Sequence, residues 1–109
     1  MIKYKNGKRF HLRFYDRFID IISLFDYTVH PGVNDVSTGI QIEPDDLTCL
    51  LIQGYIRDTI QMCMIVEKQE IVLTCISRGA TYRYFYPEER VARIVPVALA
   101  YPKIEFEHM

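Results

Sequence analysis

The sequence predicts an α+β domain: an N-terminal β-hairpin, one helix over about residues 17–26, and a five-stranded antiparallel meander curled toward a small barrel. Three observations carry this. Asn6-Gly7 stands between two short alternating segments, Phe18, Ile21, Ile22 and Phe25 recur at helical spacing, and alternating segments separated by turn signals follow from residue 47 onward. At 109 residues the chain forms one domain, 1–109, with a single core.

In "IKYKNGKRFHLRF", Asn-Gly suits the positive φ of a type I′ turn and predicts the hairpin. Asp16 precedes "RFIDIISLF" as an N-cap, and the four apolar residues at i, i+3, i+4 and i+7 would form one helix face. Residues 26–46 read as connection, with Pro31-Gly32, Asn34-Asp35 and Ser37-Thr38-Gly39; only Ile40 to Ile42 suggests a short strand.

Residues 47–66 fit a helix stripe at Cys49, Ile52, Ile56, Ile60 and Cys63. Gly54 and the β-branched residues nevertheless favour strands. Two-residue turns at Arg57-Asp58 and Arg78-Gly79, with a four-residue turn at Glu67 to Glu70, allow the pairing to be written out. Val66 then opposes Ile71, Met64 opposes Leu73 and Met62 opposes Cys75; across the next turn Ile71 opposes Tyr86, Leu73 opposes Tyr84 and Cys75 opposes Tyr82. In this register Tyr82, Tyr84 and Tyr86 join the core, while Val72, Ile76, Arg83 and Phe85 lie on a second, half-apolar face. A further strand is expected from Val91 to Val95, with Pro96 marking its end or an edge, and "KIEFEHM" could add an edge strand.

The alternating strand, the proline-marked turn and "RVARIVP" together resemble the last two strands of Sm-like and other SH3-like small barrels, over about thirty residues. The glycine-aspartate RNA-binding signature of many Sm proteins is missing, so the resemblance transfers no binding residues. It implies an SH3-like or Sm-like barrel and, by analogy, assembly through edge strands.

The net charge of −1 conceals an asymmetry. Residues 1–17 carry six cations against Asp16, a net +5, and the remainder carries seven basic and thirteen acidic groups, a net −6. No apolar run approaches a membrane span and no leader pattern opens the chain, so a cytoplasmic protein without a membrane partner is expected. Cys49, Cys63 and Cys75 are irregularly spaced and lack a neighbouring histidine pair. They read as reduced thiols, with no metal and no cofactor expected.

Three functional classes follow. The preferred one is a non-enzymatic protein-binding or regulatory module that meets a protein partner or self-associates as a homo-oligomer. It rests on the mean hydropathy of +0.00 and on Val72, Ile76, Arg83 and Phe85 as interface. The alternative is nucleic-acid binding by Lys3, Lys5, Lys8, Arg9 and Arg13, with Tyr15 available to stack. The third is a small hydrolase-like enzyme using His30 with Asp35, Asp45 or Asp46 as acid and base, although turn chemistry accounts for the same residues and no nucleophile motif accompanies them.

Overall fold

The computed structural model describes residues 2–43, 48–54, 60–67, 70–77, 82–98 and 105–109. These form β1 (Ile2–Lys5), β2 (Phe10–Phe14), β3 (Ile19–Ser23), β4 (Tyr27–Val29), β5 (Gly32–Glu43), β6 (Thr48–Gly54), β7 (Ile60–Glu67), β8 (Glu70–Ser77), β9 (Arg83–Phe85), β10 (Arg90–Ala98) and β11 (Phe106–His108). Among the described residues there is no helix, and therefore none long and apolar enough to cross a membrane. The fold is all-β, which corrects the α+β class.

Five strands form one sheet in the order β11-β1-β5-β8-β7, four form a second in the order β2-β3-β10-β6, and β4 pairs with β9. The sheets are open and not closed into a barrel, so the SH3-like or Sm-like expectation is also corrected. Among the described residues all the pairings are antiparallel except β1 with β11. Ile2, Ile40, Ile42, Ile71 and Leu73 from the first sheet meet Phe10, Ile19, Ile21 and Ile94 from the second in one core, which Val29 and Phe85 join from the β4-β9 pair.

The expected helix is β3. All five of its residues are buried, because Ile19 and Ile21 enter the core while Asp20 and Ile22 are covered on the opposite face. A nearly continuous apolar run contains helical spacing by accident and equally suits a strand buried on both faces; isoleucine then favours the strand. Phe25, which the helix would have buried, is 60% exposed.

The N-terminal hairpin is corrected as well. β1 pairs with β5 and β11, and β2 pairs with β3, so the Asn6-Gly7 turn carries the chain from one sheet to the other. The supposed connection at 26–46 contains β4 and the twelve-residue β5. In β5, Val36, Thr38, Ile40 and Ile42 are buried in alternation, while the intervening Asp35, Ser37, Gly39 and Gln41 give the segment its loop-like composition. The Pro-Gly bend is present: Gly32 has φ +93°, and the Asn34 side chain clasps it by accepting from His30 N–H at 3.1 Å and donating to His30 O at 2.8 Å.

Strands rather than a helix occupy 48–54 and 60–67, and β7 opposes β8 with Met62 facing Cys75, Met64 facing Leu73 and Val66 facing Ile71, as the sequence predicts. The turns placed at Arg57-Asp58 and Arg78-Gly79 lie outside the described residues. The next step of the meander fails, because the second edge of β8 is taken by β5, with Leu73 opposite Val36 and Cys75 opposite Asn34. β9 is displaced onto β4, and its faces are reversed relative to expectation: Phe85 is 3% exposed, and Tyr82, Tyr84 and Tyr86 are exposed.

β10 continues through Pro96, opposite Leu50 of β6. Its pairing with β3 runs from Arg90 to Ile94, so Pro96 falls beyond that neighbour, where the missing N–H breaks no ladder bond on the β3 side. β11 supplies the C-terminal edge strand that the tail's alternation suggests.

Candidate functional site: a basic cavity beneath two glycines

The β1–β2 turn and the middle of β5 border an open cavity of about 460 Å³, lined by Lys5, Asn6, Gly7, Lys8, Arg9, Ser37, Thr38 and Gly39. The local sequence explains the turn. Asn6 Oδ1 accepts the N–H of Leu12 at 2.9 Å, and Gly7 N–H donates to Phe10 O at 3.1 Å, which fixes the crossing between sheets. Gly7 lacks the positive φ of a type I′ turn; close approach requires it, since a Cβ there would lie 2.0 Å from Thr38 O.

The facing wall is a bulge. The pairing of β5 with β8 is interrupted between Ser37 and Gln41, and Gly39 adopts φ +71°. The interruption redirects three polar groups. Thr38 Oγ1 donates to Ile71 O at 2.6 Å and accepts from Ile40 N–H at 3.1 Å, and Gly39 N–H donates to Glu70 Oε1 at 3.2 Å. The Ser37 hydroxyl also donates to Glu70 Oε1. The cavity therefore brings two glycines and three cationic residues together.

Of the five cations that the sequence singles out, Lys5, Lys8 and Arg9 converge on this cavity. Among the described residues no carboxylate forms an ion pair with any of the three. Lys3 stands apart on β1, in register with Glu43 on one side and Glu107 on the other. Arg13 is ion-paired with Glu88, and the hydrogen bonds that its guanidinium donates to Glu88 and then to Tyr15 hold its proton more firmly than usual.

Ser37, Thr38, Gly39 and Glu70 were not legible as site residues. They reach the turn only through the pairing of β1 with β5 and of β5 with β8. The available signal was a glycine inside an alternating segment, which marks a bulge or a close backbone approach.

The acid–base pair suggested by the sequence does not assemble. The His30 ring packs edge-on against Tyr82, with centroids 5.1 Å apart, whereas Asp35 accepts from Thr74 Oγ1 at 2.9 Å. Asp45 and Asp46 lie outside the described residues. Among the described residues no cluster of three or more His, Cys, Asp or Glu could hold a metal.

The expected protein interface is dispersed. Val72 and Ile76 are half-buried on β8, whereas Phe85 is in the core beneath a different strand pair. The side chain of Arg83 lies outside the described residues. Another cavity, about 250 Å³, is lined by Tyr15, Asp16, Arg17, Phe18, Ile19, Pro96 and Phe106, and has no comparable group of cations.

No protein-family model matches the chain, and no curated protein matches it. Among solved structures, the native EIAV dUTPase matches with a TM-score of 0.60 over 96% of this chain and 94% of that one, at 13% sequence identity. This likeness of fold to an enzyme conflicts with the reading as a non-enzymatic regulatory module, which is corrected on that ground. At that identity the comparison speaks for architecture: the chain has a fold similar to that of the EIAV dUTPase.

Proposed function

We propose that this chain binds a nucleoside polyphosphate, with the phosphates held in the cavity formed by the β1–β2 turn and the β5 bulge. The observation that carries the reading is the convergence of Lys5, Lys8 and Arg9 on a wall made from Gly7 and Gly39. Glycines let an anion approach backbone closely, and the cations supply the charge that phosphate recognition requires. The cavity is large enough for a polyphosphate and does not require a long nucleic acid to pass the acidic remainder of the surface. The structural neighbour supports the ligand class, since it is an enzyme named for dUTP.

Calorimetric titration at low salt with dUTP, ATP and tripolyphosphate tests the proposal. The expected result is saturable binding that weakens as salt rises and drops at least about tenfold in a Lys8→Glu/Arg9→Glu variant. Both positions are exposed, so the variant should melt like the parent. No binding of any of the three at millimolar concentration would end the reading. Pyrophosphate release, followed in the same samples, reports whether a bound triphosphate is turned over.

A further inference from the structure

We infer that Glu70 is a built-in competitor for the phosphate site, an internal carboxylate that a ligand must displace. The inference rests on the polyphosphate reading of the same cavity. Its own basis is the geometry of one oxygen. Glu70 Oε1 accepts both the Gly39 N–H, at 3.2 Å, and the Ser37 hydroxyl, and both donor residues line the cavity.

The bulge explains why those donors are available. Gly39 lies in the stretch where β5 leaves its register with β8, so its N–H has no ladder partner and turns toward Glu70 at the start of β8. A backbone N–H beside a hydroxyl, in a glycine-rich bend flanked by cations, is the donor set that binds a phosphate oxygen. In the structure a carboxylate oxygen occupies it.

Glu70 thus has two effects on an arriving polyphosphate. It holds donors that the ligand would use, and its charge opposes another anion a short distance away. Lys5, Lys8 and Arg9 do not neutralise it, because none forms an ion pair with it among the described residues. Binding then exchanges one anion for another at the bulge. The exchange favours ligands whose charge is dense enough to draw on all three cations, so tripolyphosphate and triphosphates should be selected over a monophosphate.

The test uses the full chain and tripolyphosphate as probe. Glu70→Gln keeps the acceptor oxygen and removes the charge, and Glu70→Ala also releases the donors. Both should bind tripolyphosphate at least about fivefold more tightly than the parent at low salt, with the advantage shrinking as salt screens the charge. In the parent, the Gly39 amide resonance should move on adding tripolyphosphate, and in Glu70→Ala it should already be displaced without ligand. If the parent binds and Glu70→Gln binds equally or more weakly, or the Gly39 amide stays still at saturation, Glu70 is not a competitor and the cavity reading stands. If neither parent nor variants bind, both readings fall.

Discussion

Arg93 Nε donates to Asp20 Oδ1 at 2.9 Å, and the same guanidinium lies 3.7 Å above the centroid of the Phe18 ring. The two residues oppose each other on β10 and β3, and the Asp20 side chain is only 8% exposed. The hydrogen-bonded guanidinium is the partner that offsets the burial of so enclosed a carboxylate. Asp20→Ala and Arg93→Met should each lower the unfolding free energy by about 2–3 kcal/mol, and the double variant by less than the sum. Urea unfolding measures this. A loss below about 0.5 kcal/mol in both single variants would mean that solvent screens the pair as it does an ordinary surface bridge.

The two cavity glycines should differ in their response to alanine. At Gly7 the added Cβ meets the Thr38 carbonyl oxygen at 2.0 Å, a backbone atom that cannot swing aside, and a loss of about 3 kcal/mol or more is expected. At Gly39 the nearest atom is Gly7 Cα at 3.3 Å, and the φ of +71° adds left-handed strain of about 1–2 kcal/mol. Thermal melts of Gly7→Ala and Gly39→Ala should preserve that order. Equal melting temperatures would contradict the close approach of the turn to β5.

Cys75 is fully buried, and burial, reinforced by the nearby Asp35 carboxylate, raises its thiol from 9.0 to about 12. The unfolded chain releases this proton first. Stability from the group is therefore complete below pH 9 and is lost as pH rises toward about 12, at about 1.4 kcal/mol per pH unit. Cys75→Val should flatten that part of the stability profile. In the native protein at pH 8, a thiol reagent should modify the exposed Cys49 and spare Cys75.

The reversed faces of β9 give a direct comparison. Phe85→Ala removes a side chain from the core and should cost about 3–4 kcal/mol. Tyr84→Ala, one residue away on the exposed face, should cost under about 1 kcal/mol. The opposite order by urea unfolding would restore the tyrosines to the interior.

Much of the strand content was legible, and the failures have a common cause. Alternation identified β7 and β8 and their register, because a short connection leaves two neighbouring strands few ways to pair. It did not reveal that β5 would take the other edge of β8, since the partners are some forty residues apart and local pattern carries no information on such distances. The candidate site divides in the same way. Lys5, Lys8 and Arg9 were visible as a basic cluster near a turn glycine, whereas the wall that makes them a cavity comes from β5.

The sequence by itself determined the strand character of β6, β7, β8 and β10, the register of β7 on β8, the edge strand at the C-terminus and the cationic turn. These depend on side-chain period and turn chemistry within about twenty residues. Tertiary structure decided that "RFIDIISLF" is a strand, that Asn6-Gly7 bridges two sheets, and that the tyrosines of "TYRYFYPEER" face outward around a buried Phe85. Each depends on which strand fills a neighbouring edge. A one-position change in that pairing reverses every side chain it carries.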